Sequence, residues 1–162
     1  KYSVGSGRIS YYATDSLTDA SGADNSFIIG GSSESFEEDF IGPELEVFMN
    51  NSYFREGGIT SENPVLYVKV KDQHGINTTG NGIGHDIVAV LDGETGDPIV
   101  LNDFYTADLD SYQSGQIRYN FASLEPGPHT LSLKVWEVHN NSSESALEFI
   151  VQEKEEIVLD PV

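Results

Sequence analysis

Three aspartates in one acidic loop are the residues whose type and spacing best fit a chemical role. The loop spans residues 102–115 and carries Asp103, Asp108 and Asp110. Carboxylate oxygens are the ligands that Ca²⁺ accepts in proteins, so these three are candidate calcium ligands. A second acidic segment offers the same atoms: Asp92, Glu94 and Asp97. Neither set follows the ligand order of an EF-hand loop, and turn-forming aspartates explain both as well. We therefore expect no required cofactor, with a structural calcium ion as the one candidate.

Two histidines offer a second kind of ligand. His74 and His85 flank a glycine-rich loop, and Asp72 and Asp86 lie beside them. Imidazole and carboxylate groups together can hold a transition metal, but only when they converge on one point. The long loop between the histidines does not force this convergence. The favoured interpretation is a loop fixed by hydrogen bonds from its own aspartate and histidine side chains.

Catalytic residues are not expected in this chain. Cysteine is absent, which excludes a cysteine nucleophile, thiolate zinc sites and disulfide bonds. Serine, histidine and aspartate occur, but no G-x-S-x-G elbow or comparable nucleophile context is present. Paired carboxylates could serve glycoside hydrolysis. Among 27 acidic residues such pairs arise by chance, and no motif distinguishes one of them.

The chain is strongly acidic, and its charge narrows the classes of partner. The net charge is −19, from 27 acidic and 8 basic side chains. A field of that sign repels phosphate backbones and anionic lipids and favours divalent cations, so we expect no nucleic-acid partner. The longest aliphatic run, residues 87–91, is far shorter than the ~20 residues of a membrane helix. Direct insertion into a membrane is therefore not expected.

Alternating apolar residues predict β-strands, most clearly in a closing hairpin. Leu131, Leu133 and Val135 alternate with polar residues after the turn Glu125-Pro-Gly-Pro. The returning run has the same pattern at Leu147, Phe149 and Val151. A period of two marks a strand with one buried face. About seven such strands fall between residues 44 and 152, and no long helical period appears. The sequence therefore predicts an all-β fold, an immunoglobulin-like antiparallel β-sandwich.

Composition predicts four segments along the chain: residues 1–31, 32–43, 44–152 and 153–162. The first holds two short strands, 9–13 and 26–29, around a polar loop. This β-hairpin-like segment either ends a preceding domain or adds edge strands to the sandwich. The second is an acidic linker, the third is the sandwich, and the fourth is a charged exit linker. Because the chain begins without Met and ends in Val-Leu-Asp-Pro-Val, we expect a piece of a longer protein.

Aromatic residues leave an adhesin function open. Trp136, the sole tryptophan, falls on the polar side of its strand, and four other aromatic residues lie in loops: Tyr53, Phe54, Tyr105 and Tyr112. Exposed aromatic rings could contact carbohydrate or protein, although such residues more often pack under loops. A carbohydrate- or protein-binding adhesin module and a calcium-stiffened structural spacer are therefore the alternative functions.

Long, unusual strings in the chain resemble a known family. They include GINTTGNGIGHDI at 75–87 and LDSYQSGQIRY at 109–119. Together with residues 7–31 and 124–151, they are similar, in the same order, to the region that follows the peptidase domain in the gingipain-related sortase of the type IX secretion system of Bacteroidota. The similarity extends from about residue 5 to 152.

The resemblance implies a parent protein that is a cysteine peptidase of the C25 type. Such a sortase removes the C-terminal signal of exported cargo at the outer membrane and links the cargo to anionic lipopolysaccharide. The resemblance implies that this chain is a non-catalytic accessory module on the extracellular face of the outer membrane of a Gram-negative bacterium. Its implied partners are the peptidase domain of the parent chain, outer-membrane proteins of the secretion system and the C-terminal domains of cargo.

Overall fold

The computed structural model describes residues 5–15, 17–30, 39–80 and 84–152. The chain divides into two compact units, Lys1–Glu38 and Asp39–Val162. Most of the predicted acidic linker and the whole predicted exit linker lie outside the described residues. Within the described ranges, no helix is long and apolar enough to cross a membrane.

Within its described residues, the first unit has four short antiparallel strands: β1 (Gly5–Ser6), β2 (Ile9–Thr14), β3 (Asp19–Asp24) and β4 (Ile28–Ile29). Strand β1 pairs with β4, and β2 pairs with β3. Asp15 shapes the turn between β2 and β3, because its Oδ1 accepts hydrogen bonds from the amides of Leu17 and Thr18 at 2.9 and 2.7 Å. The partner of β2 is thus the segment expected to be a polar loop, DASGAD, which has no apolar alternation that could have predicted it.

The described residues of the second unit form a sandwich of two sheets with nine strands: β5 (Glu44–Met49), β6 (Gly58–Thr60), β7 (Val65–Lys71), β8 (Val88–Leu91), β9 (Ile99–Val100), β10 (Tyr105–Ala107), β11 (Ser114–Asn120), β12 (Gly127–Trp136) and β13 (Ser142–Val151). One sheet has the order β10-β11-β7-β5, and the other has the order β6-β13-β12-β8-β9. All neighbours are antiparallel except β6, which runs parallel to β13. A 3-10 turn, Asn102–Phe104, precedes β10.

The core lies between the two sheets and consists of the side chains on alternate strand positions. In β12, Leu131, Leu133 and Val135 are buried, whereas Thr130 and Ser132 face solvent. The facing sheet supplies core residues from β7 and β11: Leu66, Val68, Val70 and Ile117. Burial of this alternating set is the main term that stabilises a sandwich. The predicted all-β sandwich is therefore confirmed.

Two strands of the sandwich were not predicted, β6 and β10. Each has three residues, and only one residue of β6, Thr60, is buried. Their places come from backbone pairing along sheet edges, which leaves little trace in the side-chain pattern. The part of the sandwich that the structure describes thus has nine strands where about seven were expected.

The burial pattern predicts that substitutions at neighbouring residues of β12 change the free energy of unfolding by very different amounts. Replacement Leu133→Ala should lower the free energy of unfolding by about 2–5 kcal/mol, because it removes buried methyl groups and leaves a cavity. The control Ser132→Ala, on the exposed face of the same strand, should change it by less than about 0.5 kcal/mol. Urea unfolding measures both. Equal effects of the two variants would contradict the assigned faces.

Candidate functional site

The three predicted calcium ligands occupy separate positions around β10. Asp103 lies in the 3-10 turn, and Asp108 follows the strand. The Asp108 carboxylate accepts a hydrogen bond of 2.6 Å from the Ser114 hydroxyl. Asp110 has a left-handed backbone, with φ of 55°, as turn-forming aspartates often do. Among the described residues they do not form a converging set of ligand atoms. Calcium at this loop stays a prediction.

The second acidic segment begins with Asp92, whose carboxylate contacts the neighbouring strand of the same sheet. Asp92 accepts a 2.9 Å hydrogen bond from the Thr130 amide, and its other oxygen lies 2.7 Å from Nδ1 of His129. The remaining nitrogen of His129 lies 2.7 Å from the Glu125 carbonyl oxygen. This arrangement joins the turn after β8 to the start of β12.

The glycine-rich loop is fixed at its start by Asp72, as the hydrogen-bonding interpretation anticipated. Oδ1 of Asp72 accepts bonds from the amides of His74 and Gly75 at 2.7 and 3.0 Å. The two histidines of the loop have different neighbours. The ring of His85 lies 4.2 Å from that of Trp136, whereas His74 contacts Asp39 and His139.

One converging cluster does appear in the described part of the chain, and we call Asp39, His74 and His139 the end cluster. Their ligand atoms all lie within 4.8 Å of one another. Oδ2 of Asp39 is 2.8 Å from Nδ1 of His74 and 4.0 Å from Nδ1 of His139. The two imidazole rings have centroids 4.7 Å apart. Two imidazoles and a carboxylate directed at a common point form a possible metal-ligand set.

A buried carboxylate positions His139. Glu137 is fully buried, and its two oxygens accept hydrogen bonds from the amides of His139 and Asn141 at 2.5 and 2.6 Å. The Glu137 amide in turn donates to the Asn141 carbonyl, and Asn140 takes a left-handed backbone, with φ of 72°. The turn between β12 and β13 is therefore closed around one side chain.

Backbone hydrogen bonds join the turn that carries His139 to the loop that carries His74. The Val138 amide donates to the Gly75 carbonyl at 3.1 Å, and the Asn77 amide donates to the Trp136 carbonyl at 3.0 Å. Ile76 and Glu137 form an isolated antiparallel bridge. The two histidines thus lie on segments that are tied to each other by the main chain.

Asp39 is tied to the same turn from the segment that precedes β5. Its carbonyl accepts a 2.9 Å hydrogen bond from the side-chain amide of Asn141. Gly42 packs flush against the turn, since a Cβ there would lie 2.5 Å from the backbone of Ser142. The hydrogen bond from the Ile41 amide lowers the pKa of the Asp39 carboxyl; partial burial opposes this, and His74 and His139 reinforce it. Asp39 therefore remains ionised under ordinary conditions.

Sequence reasoning considered His74 but missed Asp39 and His139. The three lie far apart in the chain, and only the sheet register brings them together. Because Glu44 pairs with Lys71, the residues before β5 and after β7 lie at one end of the sandwich. The turn after Trp136 reaches the same end, as the Ile76–Glu137 bridge indicates.

Trp136 does not form an exposed aromatic platform. The residue is partly buried, and its ring contacts the ring of His85, at 4.2 Å, and the ammonium group of Lys134, at 5.0 Å. The indole nitrogen is buried and has no hydrogen-bond partner among the described residues. Tyr53 and Tyr112 are exposed, while Tyr105 packs against the core.

Comparison with solved structures gives a similarity that covers almost the whole chain. No protein-family model and no curated protein matches it. Among solved structures, it is similar to PorU from Porphyromonas gingivalis, solved as a dimeric latent form, with 33% identity and a TM-score of 0.70. The match covers 93% of this chain and 14% of the PorU chain. PorU is the type of protein to which the sequence strings pointed, so the predicted resemblance is confirmed.

A second solved structure, CopC from Methylosinus trichosporium OB3b, has a TM-score of 0.41 and 15% identity, and it covers 70% of this chain and all of CopC. A likeness this weak carries no argument.

Because Glu137 is buried and accepts two hydrogen bonds, we expect its removal to cause a large loss of stability. Glu137→Ala should destabilise the sandwich by about 3 kcal/mol, because two partly buried amides lose their acceptor and a cavity replaces the buried side chain. The control is Glu144→Ala, which breaks a 2.8 Å surface ion pair with Lys134 and should cost less than about 1 kcal/mol. Chemical unfolding measures both. A Glu137 variant no less stable than the Glu144 variant would show that the turn does not need the carboxylate.

The pair His129–Asp92 predicts a pH-dependent contribution to stability. Desolvation opposes protonation of His129, but the Glu125 carbonyl and Asp92 outweigh it, so the pKa of His129 is raised. The stabilisation should be fully present below the unfolded value of about 6.5 and lost as pH rises through the higher folded pKa.

The variant Asp92→Asn keeps an acceptor for Thr130 and removes the charge. Unfolding midpoints of wild type and Asp92→Asn should differ most at about pH 5.5 and converge at about pH 8.5. A difference that is constant or grows with pH would contradict this assignment.

Proposed function

We propose that the chain is a non-catalytic β-sandwich module of a PorU-related cysteine peptidase that acts as the sortase of the type IX secretion system. In this proposal the parent removes the C-terminal signals of exported cargo and attaches the cargo to anionic lipopolysaccharide at the cell surface. The observation that carries the proposal is a similarity over 93% of this chain that takes in only 14% of the PorU chain. A region of that size, without cysteine, supplies no thiolate nucleophile.

The packing of the sandwich fits a bracing function. Both sheets contribute to one continuous core, and β12 and β13 pair along ten residues each. Such a unit is stiff along its strands and tolerates variable loops at its two ends. We propose that it holds the peptidase domain of the parent at a set distance from the outer membrane and contacts secretion-system proteins or cargo.

The negative charge of the chain favours protein partners over anionic lipopolysaccharide. A net charge of −19 repels anionic lipopolysaccharide at close range, within roughly 8 Å at physiological ionic strength. In this proposal the module does not bind lipopolysaccharide, and the peptidase domain of the parent is the part that contacts it. The alternative of a carbohydrate-binding adhesin gains no support from Trp136, whose ring is covered by His85 and Lys134.

The proposal predicts that this chain alone cleaves no cargo signal, whereas the parent needs it intact. In the full-length parent, Leu133→Asp should collapse the module by burying a charge. Processing of full-length cargo should then fall by about 10- to 100-fold, since a catalytic domain held in the wrong place loses rate steeply. Hydrolysis of a short synthetic peptide should be largely retained. Mass spectrometry of cargo termini measures the first quantity.

The matched control is Ser132→Asp, which places the same charge on the exposed face of the same strand. It should leave cargo processing unchanged. Cleavage of cargo signal by the isolated chain, or normal processing in the Leu133→Asp parent, would overturn the proposal.

A further inference from the structure

The end cluster has the chemistry of a transition-metal site. Imidazole nitrogen with a single carboxylate oxygen suits Zn²⁺ and its first-row neighbours, whereas Ca²⁺ and Mg²⁺ prefer six or more oxygen ligands. We propose that Asp39, His74 and His139 bind one Zn²⁺ ion, with water in the fourth position, and that the ion clamps the segment entering β5 to the loops at that end of the sandwich. This proposal is independent of the function proposed above.

The distances fit an ion after small side-chain movements. Zinc bonds to nitrogen and oxygen of about 2.0–2.2 Å in a tetrahedral site place two ligand atoms about 3.4 Å apart. The Asp39–His74 distance of 2.8 Å is shorter than this, and the Asp39–His139 distance of 4.0 Å is longer. Each of these two distances must change by well under 1 Å, which a rotation of the side chains supplies. An ion between the three groups would move the first pair apart and draw the second together.

The main chain behind each ligand is already fixed, which lowers the entropic cost of binding. Asp72 accepts the amide of His74 at 2.7 Å, and Glu137 accepts the amide of His139 at 2.5 Å. Both of these carboxylates are buried. For Asp39, Oδ1 is held by the Ile41 amide at 3.0 Å, which leaves Oδ2 directed at the histidines. Outer contacts of this kind hold metal ligands in position in established sites.

The cluster is also reachable from solvent. The side chain of Asp39 is 10% exposed, that of His74 is 23% exposed, and that of His139 is 34% exposed. An ion can therefore enter past His139 and then lie against the better-covered pair. Three protein ligands leave a tetrahedral position open for water. The net charge of −19 raises the local concentration of divalent cations at the entrance.

The pair His129–Asp92 shows what a simple histidine–carboxylate contact looks like in the same chain. There, a single imidazole lies 2.7 Å from Asp92, and its other nitrogen lies 2.7 Å from the Glu125 carbonyl oxygen. In the end cluster, a second imidazole approaches the same carboxylate oxygen. The two imidazole rings have centroids 4.7 Å apart. A shared divalent ion would contact both rings, so it accounts for the second histidine.

The experiment is a titration of the chelator-treated 162-residue chain with Zn²⁺. Calorimetry should give one ion per chain, and a concentration of free Zn²⁺ a hundredfold above Kd should raise the Tm by about 5–10 °C. Ca²⁺ and Mg²⁺ at the same concentration should not. Asp39→Asn and His139→Gln should weaken binding beyond the roughly 10- to 100-fold that loss of an outer-shell partner costs. The matched control His129→Gln should bind Zn²⁺ like the wild type.

A second readout keeps the proposal testable if a variant unfolds. In the wild-type chain, Zn²⁺ should shift the imidazole ¹⁵N resonances of His74 and His139 and leave those of His129 unchanged. The proposal is wrong if Zn²⁺ causes no such shift, if Ca²⁺ raises the Tm as much as Zn²⁺ does, or if His129→Gln loses binding to the same extent as His139→Gln. None of these outcomes depends on cargo processing by the parent.

Discussion

The turn around Glu137 is the constraint on which the end of the sandwich depends. A carboxylate removed from water is costly unless hydrogen bonds replace its hydration. Here the amides of His139 and Asn141 do so at 2.5 and 2.6 Å. These hydrogen bonds fix the backbone that carries His139. The sheet register then brings Asp39 and His74 to the same end of the sandwich.

The sequence contains this constraint in a form that is easy to overlook. Leu131, Leu133 and Val135 face the core, and the next residue of the same parity is Glu137, which is buried like the others. A charged residue that continues an inward-facing apolar series must find partners inside the fold. The inward-facing position of Glu137 therefore indicates a turn with hydrogen bonds to this side chain, although it does not identify the donor groups. The strands with long alternating series, β7, β11, β12 and β13, were predicted for the same reason, because side-chain period reports the buried face.

The strands that could not be predicted are those held in their sheets by backbone hydrogen bonds without an alternating pattern of buried side chains. Strand β3 is the polar segment DASGAD, and β6 and β10 have three residues each. The site was equally hidden, since its ligands come from three distant segments and no spacing relates them. Asp103, Asp108 and Asp110 were predicted as calcium ligands because they are close in sequence. Closeness in sequence does not by itself bring carboxylates to one point. The register Glu44↔Lys71, which no local pattern reveals, is what places residues 39 and 74 at one end.

The bonds of Asp39 bear on how a module of this kind could brace a larger protein. Asp39 is the first residue of the second unit, and Asn141, Ile41 and His74 hold it by its carbonyl and both carboxylate oxygens. A chain that entered β5 through an unbonded segment would pivot there, and the stiffness of the sheets would be lost at the entrance. Contacts at residue 39, together with the flush packing of Gly42 on Ser142, extend the rigid body to that entrance. A metal ion in the same cluster would add bonds at the point where the chain enters β5.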